Sequence, residues 1–199
     1  MTTATTQRRP HHEVHEVFHR RWSSRAFTDE EIPEAALLRL FEAARWAPSA
    51  MNAQPWRFVW ARRGTPAFDR FLGALAPANR AWAARAAALV AVISRTHADD
   101  PRGPGPVPLP SHSFDAGAAW AHLALQAEMD GWSTHAMGGF DRGAARDALL
   151  VPDGHQVEVL VAVGRRGDPA SLPEPLRARE RPSDRRPVGE IAREGVFDF

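Results

Sequence analysis

Two short runs in this sequence admit few architectures. Ala87-Ala88-Leu89-Val90-Ala91-Val92-Ile93 and Val157-Glu158-Val159-Leu160-Val161-Ala162-Val163 are apolar almost without a break. A strand with one wet face alternates apolar and polar side chains, so a strand-length run without alternation has to be covered on both faces. Both are read as buried strands. A third strand is expected over 56–62: Trp56-Arg57-Phe58-Val59-Trp60 is rich in ring and β-branched residues, and it is entered through Pro55, which can donate no ladder hydrogen bond.

Helical patterns lie between these strands. Leu37, Leu38, Leu40, Phe41 and Ala44 recur at helical spacing after Pro33, which suits a first turn, so a helix is expected over 33–47, ended by Pro48. Others are expected over 12–20 (with Val14, Val17 and Phe18 on one side), 65–75, 114–130 and 144–150. The helix over 114–130 is strongly apolar, reads as the central one and stops at Gly131 in the C′ position. Strands alternating with helices ordinarily suggest a doubly wound parallel sheet. No G-x-G-x-x-G follows any strand, however, so a dinucleotide-binding fold of the Rossmann type is unsupported.

Residues 1–10 are polar and expected to be disordered, with one domain over 11–199 and no internal repeat. Five prolines and two glycines make 95–113 a loop, and long loops inside compact domains are commonly functional; this one is expected near the site. The arm 167–199 is rich in Pro and Arg and poor in core residues, and is expected to be disordered or wrapped over a neighbour.

Composition removes several chemistries. All 25 basic residues are arginines, and there is no Lys, Tyr or Cys. That excludes a P-loop or Schiff-base lysine, a Tyr/Lys dehydrogenase pair, a thiol nucleophile and a disulfide framework. Redox chemistry on such a chain falls to a borrowed cofactor, with the protein supplying orientation and electrostatics. A formal net charge of +1, with arginines interspersed among acids, does not point to nucleic acid. No segment is apolar over the roughly 18 residues a membrane span requires, and the first ten residues hold no signal-type apolar core, so a cytoplasmic location is expected.

Two segments carry the binding chemistry. Ala47-Pro48-Ser49-Ala50-Met51-Asn52-Ala53-Gln54-Pro55-Trp56-Arg57-Phe58 places small, amide and ring residues where a helix gives way to a strand, as a site for a flat, polar-edged ligand would. Arg20-Arg21-Trp22-Ser23-Ser24-Arg25-Ala26-Phe27 gathers guanidinium and hydroxyl groups able to hold a phosphate through forked, charge-assisted hydrogen bonds. Together they imply a phosphorylated cofactor with a ring system.

RRWSSRAF followed by ARWAPSAMNAQPWRF resembles the FMN-dependent nitroreductase family. The resemblance continues through Asn79 to Trp82, through Phe114-Asp115-Ala116-Gly117 to Ala127, and through Gly131-Trp132-Ser133-Thr134-His135-Ala136-Met137-Gly138-Gly139-Phe140-Asp141, covering about residues 14–191. It implies an α+β, three-layer α/β/α fold, a mixed sheet flanked by helices, in an intertwined homodimer with FMN at the interface. It also implies site residues. Arg21, Ser23 and Arg25 match contacts to the FMN phosphate, ribityl chain and ring edge; Trp22 stands among them, as a contact or a packing residue. Pro48, Ser49, Ala50 and Asn52 match the segment that reaches the partner's flavin, with Ala50 where a hydroxyl residue is frequent; Gln54 and Asn79 are further candidates. Met137, Gly138 and Gly139 match the loop whose amides approach the isoalloxazine, glycine permitting close approach. Arg185 matches a basic residue on the phosphate, with Arg186 as its substitute. The implied reaction is ping-pong hydride transfer from NADH or NADPH to a nitroaromatic, quinone or other small conjugated acceptor, with no catalytic side chain. The alternatives are another flavin activity on the same fold (oxidase, dehalogenase or flavin cleavage) and a non-catalytic flavin-binding module.

His15-Glu16-Val17-Phe18-His19 also fits H-E-x-x-H, in which two imidazoles one helical turn apart bind zinc. The Gly and His of the extended metalloprotease motif do not follow, so the segment is read as a helix with surface histidines and no metal site is assigned. His135, beside the glycine loop, is read as a satisfied core histidine or a neighbour of the flavin.

Overall fold

A computed structural model describes residues 8–99 and 103–199. The expectation of disorder over residues 1–7, and that part of the 95–113 loop comprising residues 100–102, lie outside them.

The elements run α1 (Val17–Arg20), α2 (Glu34–Arg45), β1 (Trp56–Arg62), α3 (Pro66–Ala74), α4 (Pro77–Ala83) and β2 (Ala88–Arg95). Then follow β3 (His97–Asp99), β4 (Pro106–Pro108), α5 (His112–Met129), β5 (Ser133–Met137), α6 (Arg142–Ala148), β6 (His155–Gly164) and α7 (Glu174–Arg177). The main sheet has the order β1-β2-β6-β5. The two apolar runs are thus its two central strands, and both faces are covered. On one face Leu89, Ala91, Ile93, Leu160 and Ala162 pack with Phe68, Phe71, Trp82 and Ala145 from α3, α4 and α6. On the other Val90, Val92, Val161 and Val163 meet Leu37 and Leu40 of α2 and Ala116, Ala119 and Leu123 of α5. Each fully buried Leu contributes about 1.5–3 kcal/mol. The result is the three-layer α+β arrangement that the resemblance implies.

The sheet differs from the mixed one implied: all three ladders are antiparallel. The reason lies in the connections. Arg62 pairs with Ala88, so the chain must leave β1 and re-enter at the same end, and the helical pair α3–α4 provides that return.

Local signals explain the helix ends. Thr65 Oγ1 accepts from Phe68 N at 3.3 Å, with Pro66 in the first turn of α3. Gly131, at φ +77°, ends α5 in a Schellman arrangement: Trp132 N donates to Ala127 O at 2.7 Å and Gly131 N to Glu128 O at 3.2 Å. Within α5, buried Glu128 pairs with Arg166 and with Arg20, so its charge is compensated.

Two terminal expectations change. The helix over 12–20 shrinks to the single turn of α1, because only Val17 is buried there while Val14 and Phe18 face solvent. The 95–113 segment holds the β3–β4 hairpin, which continues from the end of β2 where Thr96 N donates to Gly154 O at 2.8 Å. The early part of the arm packs on its own chain. Gly167 N donates to Ala26 O, and Leu172 and Glu180 are buried.

Candidate functional site

Segment 21–25 meets edge strand β5 at Ser24, and a single carboxylate of the C-terminal arm anchors its end. Glu180 Oε1 accepts from Ser24 Oγ and Arg25 N, each at 2.7 Å, and from Ala26 N at 2.9 Å. Ser24 and Glu180 are both buried, so these bonds are shielded from water. The Ser24 carbonyl accepts from His135 Nδ1 on β5 at 3.1 Å. That acceptor sets the tautomer, leaving Nε2 unprotonated.

This frame shapes a cavity of about 300 Å³ lined by Arg21, Trp22, Ser23, Arg25 and Arg185, together with Arg8, Arg179, Arg181, Ser183 and His135. Residues some 160 positions apart in the chain thus line one cavity. Trp22 both lines the cavity and takes the Arg166 guanidinium over its ring at 5.9 Å. Glu180 is the carboxylate beside these arginines, with Oε2 at 3.8 Å from Arg25 Nη1.

The guanidinium groups of this cavity crowd one another. Burial and then Arg185 push the Arg21 guanidinium pKa down, and burial with Arg185 and Arg21 does the same to Arg8. Arg25 is lowered by burial against the opposing pull of Glu180. Arginine does not deprotonate at such shifts, so the positive charges stay crowded. His135 is lowered to about 4, chiefly by burial and then by Arg25, so its ring is neutral near pH 7. Its ring centroid lies 4.7 Å from that of Trp82, with the planes tilted by 39°.

The glycine loop follows β5. Asn79 Nδ2 donates to Gly139 O at 3.0 Å, and Ala76 N donates to the same oxygen at 3.1 Å. Asn79 therefore positions this loop. A Cβ on Gly139 would come within 2.7 Å of Asn79 Nδ2, whereas one on Gly138 would meet nothing within 4 Å. Met137 is buried in the core, so only its backbone is offered at this loop.

The other segment that the resemblance singles out, Pro48 to Gln54, enters β1. Ala50 N donates to Asp115 Oδ2 at 3.2 Å and Gln54 N to Ser49 Oγ at 3.0 Å. Met51, Asn52 and Gln54 have φ of 51°, 54° and 46°. Left-handed backbone at non-glycine residues costs of order 1–3 kcal/mol each and gathers where geometry is needed for contact. Met51 is also 100% exposed.

Segments 21–25 and 48–54 do not meet within one chain. β1 and β5 are opposite edges of the sheet, three strand spacings or about 14 Å apart.

Sequence reasoning left Glu180, Arg179, Arg181 and Arg8 unassigned. The available signal was a lone acid within Arg177-Ala178-Arg179-Glu180-Arg181, since a carboxylate inside a basic run invites a structural role. Arg186 does not line the 300 Å³ cavity; Arg185 does. In the H-E-x-x-H segment, His15 precedes the helical turn and accepts from Val17 N at 3.3 Å, and Glu16 pairs with Arg20 at 2.9 Å. Among the described residues no cluster of His, Asp and Glu is arranged to hold a metal, and no helix is long and apolar enough to cross a membrane.

The model of the Nitroreductase family matches residues 19–165. A Rhodopseudomonas palustris (strain TIE-1) protein named "Putative NADH dehydrogenase/NAD(P)H nitroreductase" is 31% identical over 150 residues, 68% of this chain and 73% of that protein. The crystal structure of an oxidoreductase containing FMN has a TM-score of 0.94 to this chain at 42% identity, covering 99% of each. A Desulfovibrio desulfuricans protein solved in complex with FMN is 24% identical, with a TM-score of 0.73 over 92% of this chain and 96% of that one, a likeness of fold.

Proposed function

We propose, from the premise that this chain belongs to the nitroreductase family and is an oxidoreductase, that it binds FMN as a homodimer and passes hydride from NADH or NADPH to a nitroaromatic, quinone or other conjugated acceptor. The observation that carries this reading is the convergence of Arg21, Ser23, Arg25 and Arg185 on one cavity beside β5. The FMN in the 42%-identical relative supports the choice of cofactor.

The residues present fit that group. Arg21, Arg25 and Arg185 would hold the phosphate, a dianion that relieves their mutual crowding. Ser23 offers a hydroxyl to the ribityl chain. Gly138, with open space where a Cβ would stand, lets a flat ring approach the backbone. Turn 48–52, on the far sheet edge, would close the site of a second copy. FMN supplies a two-electron relay when bound. The chain's own part is orientation and charge: Arg25 places positive charge beside the cavity without a titrating acid, and His135 stays neutral near pH 7.

The purified protein should carry a yellow chromophore released as FMN on denaturation, and should oxidise NADH or NADPH when a quinone or nitroaromatic is present. A folded, colourless protein that takes up no added FMN overturns the reading.

A further inference from the structure

His135 lines the 300 Å³ cavity from β5, and its ring is held on two sides. Nδ1 donates to the Ser24 carbonyl at 3.1 Å, and the ring packs on Trp82 of α4, 4.7 Å between centroids. Trp82 is itself 2% exposed, packs on Phe27 at 6.2 Å and carries the Arg25 guanidinium 6.0 Å from its ring centre. The imidazole therefore rests on a fixed indole. A group held in place before its ligand arrives needs little further ordering on binding.

Nε2 is the atom this packing leaves unused. It makes no hydrogen bond among the described residues, and the sealed side-chain atoms that lack a partner lie elsewhere, on Arg95, Ser133, Thr134 and Glu180. Nε2 thus opens onto the cavity. Because Nδ1 keeps the ring hydrogen, Nε2 presents a bare lone pair, and burial keeps the ring neutral near pH 7.

The rest of the wall offers the opposite chemistry. Its six arginines and Trp22 carry donors and no acceptor, while the Ser23 and Ser183 hydroxyls can serve either way. Among the described side chains of this wall, His135 alone presents an atom that can only accept. A phosphate suits the arginines and not this atom: near pH 7 a phosphate monoester is mostly a dianion, with no hydrogen to give. A ligand that satisfies the whole wall brings a hydroxyl close to its phosphate.

We propose that His135 is a cofactor-binding residue whose Nε2 accepts a hydrogen bond from a hydroxyl of the ribityl chain of FMN, the ring being held for that purpose by Trp82 and the Ser24 carbonyl. The inference rests on the function proposed above. It adds the contact by which this cavity distinguishes a phosphorylated polyol from a phosphate alone.

The test is a binding cycle. Flavin-free protein is titrated, by flavin fluorescence, with FMN and with a 5-phosphopentyl flavin that keeps the ring and the phosphate but lacks the ribityl hydroxyls. His135→Asn can still donate to Ser24 through its amide and has no acceptor at the place of Nε2, whereas the longer amide of His135→Gln returns an oxygen there. The native protein should prefer FMN, His135→Asn should shrink that preference by about fivefold, the effect of one net hydrogen bond, and His135→Gln should restore part of it. Equal weakening of both flavins by His135→Asn is what a purely structural histidine would give, and it overturns the inference while leaving FMN binding in place. If His135→Asn does not fold, nitrogen-15 NMR of the native protein decides: the His135 Nε2 resonance should move upfield with FMN and much less with the phosphopentyl flavin, and a resonance that responds alike to both overturns the inference. A folded native protein that binds neither flavin overturns the proposed function and this contact with it.

Discussion

The Asp115 carboxylate, on the central helix α5, accepts the backbone N–H of Ala50 at 3.2 Å, and the Ser111 hydroxyl donates to the same oxygen at 3.0 Å. Asp115 is 3% exposed, so these donors are what compensate its charge. A buried group in the body of the fold thereby sets the place of the turn that carries Met51 and Asn52 in left-handed backbone.

Asp115→Ala should release that turn. The expected outcome is a loss of about 1–3 kcal/mol in stability, with weaker FMN retention measured by ultrafiltration. Asp115→Asn, which keeps an acceptor oxygen, should recover part of both. Unchanged FMN retention in the alanine variant would show that the turn takes no part in the site.

Glu180→Ala strands two backbone donors, Arg25 N and Ala26 N, and leaves Ser24 Oγ only the Ala26 carbonyl. A stability loss of about 2–4 kcal/mol is expected by urea denaturation, since unsatisfied buried donors each carry a desolvation cost. FMN affinity should fall with it, because Arg25 and the 179–181 segment lose their common anchor.

Gly138 and Gly139 should respond differently to the same substitution. Gly139→Ala places a methyl against Asn79 Nδ2 and should lower the thermal midpoint. Gly138→Ala meets nothing in its own chain, so stability should change by less than about 1 kcal/mol while FMN affinity, titrated by flavin fluorescence, drops by about tenfold. Full affinity in Gly138→Ala would remove this loop from the flavin site.

The folded chain holds His135 at about 4 against 6.5 for the free side chain, chiefly through burial. The unfolded chain therefore binds the extra proton first as pH falls, and stability declines between pH 6.5 and 4, by about 2–3 kcal/mol in all. Above pH 6.5 the group contributes no pH dependence. Denaturation curves of the native protein and of His135→Gln, recorded over pH 4–7, should diverge in slope only in that window.

The strands over 87–93 and 157–163 were legible because an unbroken apolar run states that both faces are covered, whatever covers them. The stop of α5 was legible because Gly131 adopts φ +77° without steric cost. The pattern over 12–20 misled because helical spacing promises a buried face only if something packs on it, and Phe18 is left exposed. Antiparallel pairing was not legible, because apolar periodicity reports burial and is silent about strand direction.

The sequence by itself determined the residue types of the proposed site and the segments that carry them: arginines and hydroxyls at 21–25, small and amide residues at 48–54, glycines at 138–139. Only the tertiary structure decided which of these share a cavity. Arg185 reaches Arg21 because Glu180 pins the arm to Ser24, while turn 48–54 is held on the opposite sheet edge by Asp115. Local chemistry depends on neighbours in the chain, but convergence depends on strand order and on buried carboxylates whose partners lie up to 156 residues away.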